Sequence, residues 1–268
     1  MSELPTAAEA IDQLLAVMAA LRDPEDGCPW DLKQSYHSIV PHTLEEAYEV
    51  ADTIERGDFN HLKEELGDLL FQVVFYARLA QEEGRFDFAD VSVAMAAKLI
   101  KRHPHVFGSS NNSNEEQIKK NWEAGKAQER KAKGQGQALA DIPLALPALS
   151  RAQKLSKRAA RVGFDWPESE QIWRKLEEES DELKQAIANQ DKPNIEEELG
   201  DMLFVMVNLG RHLGVDAETA LRKSSTKFEQ RFGHVEAQVQ QSSRDWDEYK
   251  LTELDNFWRE AKELEKSQ

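Results

Sequence analysis

Two short acidic patterns carry most of the chemistry that this chain can do. Glu45-Glu46-x-x-Glu49 is followed, beyond a turn, by Glu65-x-x-Asp68, and the pair returns as Glu178-Glu179-x-x-Glu182 and Glu198-x-x-Asp201. Carboxylates three apart in a helix share one face. On a helical wheel Glu65 and Asp68 border an apolar stripe of Leu66, Leu69, Leu70 and Val73, and Glu46 and Glu49 border one of Ala47, Val50 and Ile54. The acids are therefore expected at the margin of a buried face. Two antiparallel helices, each giving such a pair, would direct four carboxylates into one pocket, where their mutual repulsion calls for cations. The donors are all hard oxygens and no Glu-x-x-His occurs with them, a set that suits Mg²⁺, or Mn²⁺ in its place. Mg²⁺ keeps waters and shares its shell with substrate phosphates, which points to a phosphorylated substrate. Lys98-x-x-x-Arg102 and Lys227-x-x-x-Arg231 each put two cations on one helix face as the complementary charge.

Each feature has a plainer explanation. A Glu-rich helix face is usually only solvated surface. Thr43-x-x-Glu46 also fits a capping box, in which Glu46 would bond back to a helix start. The second copy tests that idea: Leu176 stands where Thr43 does, so capping cannot explain Glu179. Trp122 and Trp258 could stack on a base, although tryptophans near helix ends commonly anchor a core or an interface. Trp30 and Trp166 fall in loops ahead of the acidic helices and could flank the same mouth. His103-Pro104-His105 lacks a third ligand at zinc-like spacing and reads as loop packing. Lys154, Lys157, Arg158 and Arg161 read as one solvated helix face.

The elements that must position the acids are legible as a duplication. Glu64-Glu65-Leu66-Gly67-Asp68 recurs as Glu197-Glu198-Leu199-Gly200-Asp201, and Phe71, Val74 and Arg78 match Phe204, Val207 and Arg211. Trp122-x-x-x-Lys126-x-x-Glu129 matches Trp258-x-x-x-Lys262-x-x-Glu265, with the spacing between copies drifting by a few residues along the chain. Such drift places insertions in loops and indicates two copies of one folding unit. Apolar residues recur at three- and four-residue spacing, and no run alternates long enough for a strand, so the fold class is all-α. Arg56-Gly57-Asp58 and the segment 189–194 are short helix-to-helix turns, which make the acidic helices antiparallel neighbours. Residues 1–129 and 143–268 read as the two helical domains. Residues 130–142, polar and rich in Gly and Gln, read as the linker, and 109–114 as a loop inside the first domain.

Composition narrows the partners. The 268 residues carry 34 basic and 50 acidic side chains, a net charge of −16. That balance argues against general nucleic-acid binding and against docking on anionic lipid. No apolar run is long enough to span a bilayer, and the N-terminus lacks a signal pattern. Cys28 is the one cysteine, so no internal disulfide forms and a cytoplasmic location is expected.

EExxE, then ExxD after a short turn, then KxxxR, all twice in one chain and preceded by Cys28-Pro29-Trp30-Asp31, resembles the MazG family. The likeness runs from about Ile11 to the Trp258 segment. The acidic motif alone also resembles a wider all-α superfamily that includes dimeric dUTPases and phosphoribosyl-ATP pyrophosphohydrolases. The resemblance implies two tandem four-helix-type bundles, completed by pairing in a homodimer. It implies Mg²⁺-dependent hydrolysis of a nucleoside triphosphate to the monophosphate and pyrophosphate. Glu179, Glu182, Glu198 and Asp201 would hold the metal, as would Glu46, Glu49, Glu65 and Asp68 in the first copy. Lys227 and Arg231 would contact phosphates, Lys98 and Arg102 being their counterparts, and Trp258 the nucleoside. Lys175, Leu176, Glu177, Glu178 and Glu179, with Asn194, Ile195, Glu196 and Glu197, would line the nucleotide pocket. Glu179 or Glu198 would activate water.

Both copies keep every acidic ligand and both basic residues. They differ where Gln72 aligns with Val205, Phe75 with Asn208 and His61 with Asn194. The two asparagines offer neutral hydrogen-bonding groups suited to a nucleoside, so the second copy is favoured as the working site. The rival readings are a non-enzymatic nucleotide sensor or protein-binding bundle, and a narrow-specificity dUTPase-like enzyme.

Overall fold

The computed structural model describes residues 5–108, 114–132, 134, 136–242 and 244–266. These residues form twelve α-helices and one short 3₁₀ turn, with no strand among them. The chain divides into two compact units, Met1–Lys126 and Ala127–Gln268.

In the first unit α1 spans Ala7–Leu21, α2 Pro29–Leu32, α3 Tyr36–Arg56, α4 Phe59–Glu82, α5 Phe88–Arg102 and α6 Pro104–Phe107; α7, Glu115–Ala132, begins in this unit and continues past Lys126. Helix α4 is the centre, with α3, α1 and α5 packed on it. Met18, Ile39, Val74, Phe75 and Leu79 form the core. The start of α3 is set by Ser35, whose hydroxyl accepts from the Ser38 amide. Thr43 therefore lies well inside the helix and bonds to Ile39 O and the Tyr76 hydroxyl. The capping role considered for Glu46 does not exist. Helix α3 ends at Gly57 in the left-handed region (φ 70°), a conformation that a residue without Cβ adopts freely. Asp58 then caps α4. At the other end of the hairpin the buried Arg22 guanidinium binds Glu82 and the Asp31 carbonyl, which ties α1, α2 and α4 together. Trp30, expected in a loop, sits in the short helix α2.

The second unit repeats this plan with α8 (Ala148–Ala160), α9 (Ser169–Asn189), α10 (Lys192–His212), α11 (Ala217–Gln241) and α12 (Leu251–Lys266). Helix α10 is central, packed by α9, α8 and α11, while α12 pairs with α11. The turn between α9 and α10 passes through Gln190 at positive φ and is closed by Asp191 as the cap of α10, with Pro193 in its first turn. Because α9 begins at Ser169, Leu176 is two turns inside it, where it packs against Ile172, Val205 and Leu209.

Three expectations need correction. The stripes taken for buried faces are only partly covered: Ala47, Ile54, Leu66 and Val73 are exposed, and the core side of α4 is carried by Val74, Phe75, Ala77 and Leu79. Single-helix periodicity could not distinguish the side facing the bundle from a second apolar side. The linker expected over 130–142 begins inside α7, which continues to Ala132. Its Ala, Gln, Glu, Arg and Lys residues are strong helix formers, so polarity there did not mean irregular chain. Most of the loop expected at 109–114 lies outside the described residues. Arg158, assigned to a solvated face, is buried. Among the described residues no helix is long and apolar enough to cross a membrane.

Candidate functional site

Helices α3 and α4 are joined by a tight turn and run side by side, and so do α9 and α10. Each hairpin brings three carboxylates together. One oxygen each from Glu46, Glu49 and Glu65 lies within 4.8 Å of the other two, and Glu179, Glu182 and Glu198 do the same in the second unit. Asp68 and Asp201 stand one turn further along their helices, exposed and outside these triplets. Their charge is still felt: Asp68 helps raise the pKa of Glu46, and Asp201 that of Glu198. The structure thus gathers three of the four expected ligands in each copy.

The electrostatics are those of a crowded anionic pocket. Partial burial, followed by Asp68 and Glu49, holds the Glu46 carboxyl above its ordinary range. Glu182 is raised by burial and by a hydrogen bond with Glu179, and Glu198 by burial and then by Glu182 and Glu179. Glu179 is only 4% exposed. Its charge is met by Lys175, one turn earlier on α9, whose ammonium lies 2.8 Å from Glu179 and 2.6 Å from Glu178. Those two carboxylates push the Lys175 pKa upward. A cluster of hard oxygens at this spacing fits Mg²⁺ or Mn²⁺ better than a softer ion, since no thiolate or imidazole belongs to it.

The raised carboxylates have a consequence for stability. The folded protein holds these protons more tightly than the unfolded chain, so between the ordinary value near 4.5 and the raised one its stability falls as pH rises. A divalent ion relieves the repulsion only where the groups are ionised. Addition of Mg²⁺ or Mn²⁺ is therefore expected to raise the melting temperature more at about pH 7.5 than at about pH 5. Equal increments at the two values in a thermal melt would contradict the cluster as the binding site.

The remaining expected residues fall into distinct places. Leu176 is half-buried against the core, whereas Glu177, Glu196 and Glu197 are exposed. Asn194 and Ile195 are half-buried in the first turn of α10, where the Asn194 amide donates to Asp191. Arg231 is engaged by Glu265 through both Nε and Nη2 and lies over the Trp258 ring at 5.7 Å, while Lys227 is exposed. Trp258 also packs against Phe228 and borders a groove of about 280 Å³. In the first unit Arg102 sits over Trp122, which His103 meets edge-on, and Lys98 is exposed. Among the described ion pairs none joins Lys227 or Arg231 to the carboxylate triplet.

One feature of the second unit was only half legible. A cavity of about 520 Å³ opens between α8, the loop before α9, and α10, with Leu155, Phe164, Trp166, Phe204 and Asn208 among its walls. Asn208 is 3% exposed. Its Oδ1 accepts from Arg211 Nε at 2.7 Å, and Arg211 is also held by Asp165. A guanidinium only donates, so this contact fixes the amide with its NH₂ as the remaining hydrogen-bonding group. In the first unit the equivalent position is Phe75, fully buried in the core. The sequence marked two of its walls, Asn208 as a neutral hydrogen-bonding group and Trp166 as a loop residue at the mouth, but gave no sign that a cavity lies between them.

With this geometry in view, comparison with known proteins is direct. The family model for the MazG nucleotide pyrophosphohydrolase domain matches residues 34–107 and 168–236, and so covers both hairpins. A nucleoside triphosphate pyrophosphohydrolase of Escherichia coli K12 is 51% identical over 259 residues, 95% of this chain and 98% of that protein. A nucleoside triphosphate pyrophosphohydrolase/pyrophosphatase MazG of Thermotoga maritima is 43% identical over 251 residues, 94% of this chain and 95% of that protein. YabN of Bacillus subtilis, described as uncharacterized, is 37% identical over 252 residues, which make up 94% of this chain and 51% of YabN. Two copies of one acidic hairpin, matched throughout by relatives of the same length, establish that this chain belongs to the MazG nucleotide pyrophosphohydrolase family.

Proposed function

We propose that the protein is a nucleoside triphosphate pyrophosphohydrolase, releasing pyrophosphate and a nucleoside monophosphate. The observation that carries the reading is the Glu179, Glu182, Glu198 triplet on one helix hairpin, in a chain whose full-length relatives bear that name. Glu179, Glu182 and Glu198 would hold Mg²⁺, with Asp201 adjacent, and Glu46, Glu49, Glu65 and Asp68 are the corresponding set in the first unit. The bound ion would offset the carboxylate charge and stabilise negative charge on the leaving pyrophosphate.

The chain's own groups do the rest. A water attacks the α-phosphorus, the bond from that phosphorus to the bridging oxygen breaks, and the water's proton passes to a carboxylate. Either Glu179 or Glu198 could accept it. For the nucleoside we place the base in the 520 Å³ cavity, where Phe164 and Trp166 supply aromatic surface and the Asn208 NH₂ a donor for a carbonyl or ring nitrogen. Helix geometry gives the span: Asn208 lies ten residues beyond Glu198 on α10, about 15 Å along the axis. Trp258 is the alternative contact that the family likeness suggests, and Arg231 turns to phosphate only if it leaves Glu265.

A panel of canonical and modified triphosphates, assayed for pyrophosphate release with Mg²⁺ and with excess chelator, tests the reading. Release that stops on chelation is expected. Nucleotide binding without release from any substrate would instead favour a sensor, and release confined to dUTP the narrow enzyme.

We also propose that the working form is a homodimer. After the chain has folded, Val40, Leu44 and Tyr48 on α3, Leu66 and Val73 on α4, and Leu199, Leu203 and Met206 on α10 remain exposed at helical spacing. Apolar stripes of this extent are characteristic of subunit contacts. Sedimentation at micromolar concentration should give twice the chain mass of 30.5 kDa, and a monomer throughout would overturn the proposal.

A further inference from the structure

The two acidic hairpins differ in a cation. Lys175 in the second unit aligns with His42 in the first. The Lys175 ammonium bonds to Glu179, the most buried carboxylate of its triplet, as well as to Glu178. His42 instead packs edge-on against Trp30, with its nitrogen 3.7 Å from Glu45. Among the described ion pairs none reaches Glu46, the counterpart of Glu179. A positive charge therefore sits against the ligands of one site and is missing from the other.

We infer that Lys175 is a resident counter-cation of the second site, one that a divalent ion must displace from Glu179, so that metal and nucleotide load this site together while the first site takes metal alone. The argument rests on the metal-binding reading given above. Lys175 and a divalent ion are like charges competing for one carboxylate, and a unit charge at about 4 Å is a large effect near a partly buried group. Displacement leaves the ammonium without a partner unless a new anion arrives. A triphosphate is such an anion, and Lys175 keeps enough freedom to turn to it, its side chain being one-third exposed. By linkage, a nucleotide that draws Lys175 away tightens metal binding, and metal tightens nucleotide binding by the same factor. The first site, without a lysine at this position, has no such coupling.

The test is Mn²⁺ binding to the full chain, followed through the electron paramagnetic resonance signal of the free ion. Glu46→Gln with Glu49→Gln silences the first site so that the second is read by itself. In that background Mn²⁺ alone should bind weakly, and Lys175→Met should tighten it about tenfold. A triphosphate with a non-hydrolysable α,β-methylene bridge should tighten Mn²⁺ binding when Lys175 is present, and by a much smaller factor in Lys175→Met. The converse change is independent of the folding of the second unit. With Glu179→Gln and Glu182→Gln silencing the second site, His42→Lys should weaken Mn²⁺ binding at the first about tenfold and create coupling to the triphosphate. Unchanged or weaker Mn²⁺ binding in Lys175→Met, together with no effect of His42→Lys, would overturn the inference and leave the metal sites standing. Absence of Mn²⁺ binding at both triplets in the unmodified chain would overturn the metal reading itself.

Discussion

Glu179→Gln should lower kcat/KM for triphosphate hydrolysis by at least about 100-fold, and Glu46→Gln should leave most of the activity in place. The two changes are chemically identical and fall at equivalent positions, so their difference isolates the contribution of each hairpin. Glu179 is the most buried carboxylate of its triplet, has an ion pair of its own, and touches Glu182 through a hydrogen bond. Replacing it by an amide preserves shape and removes one unit of negative charge from the cluster. The loss should therefore appear in kcat at saturating Mg²⁺, with the melting temperature of the metal-free protein unchanged or raised, because repulsion has been relieved. A loss of activity confined to Glu46→Gln would transfer the reaction to the first unit.

Asn208→Phe is the second large effect, and the protein itself supplies the design. The first unit carries Phe75 at this position with no exposed surface, packed among Met18, Ile39, Val74 and Leu79. Importing that ring into the second unit would intrude on the 520 Å³ cavity beside Phe164 and Trp166 and remove the group to which Arg211 donates. We expect KM for a nucleoside triphosphate to rise at least about tenfold, the loss of one buried hydrogen bond and of the space for a ring. Inorganic tripolyphosphate, which has no base, should compete with the substrate equally well in both proteins. Asn208→Asp separates volume from chemistry: it keeps the cavity, accepts from Arg211 more strongly, and loses the NH₂ donor. An unaltered KM in Asn208→Phe would show that the base binds elsewhere, and Trp258 would then be the residue to change.

Much of this architecture could be read from the sequence because it is written twice. A single EExxE is weak evidence; its return beside ExxD, across a second turn rich in Asn and Pro, gave both the helix hairpins and the acids that face one another. The repeat also removed a false lead, since Leu176 in place of Thr43 argued against capping before the position of Ser35 settled the start of α3. What stayed hidden depends on which side of a helix meets its neighbours. Leu66 and Val73 look like core from periodicity, yet they face outward because α4 already buries Val74, Phe75 and Leu79 on its other side. The fourth acid of each set, Asp68 or Asp201, shares a helix face with the others by spacing alone but ends a turn away from the triplet. Likewise the commitment of Arg231 to Glu265 depends on how α11 meets α12, which no motif in either helix encodes.

The left-handed turns at Gly57 and Gln190 set more than a change of direction. The separation along the chain from Glu46 to Glu65 equals that from Glu179 to Glu198, although elsewhere the two copies have slipped out of step. One residue added to the helical segment between either bend and its acids would rotate those acids by about 100° and swing them out of reach of their partners. The stretch between the acids is thus a ruler for the site: the loops outside the hairpins are free to lengthen or shorten, and it is not.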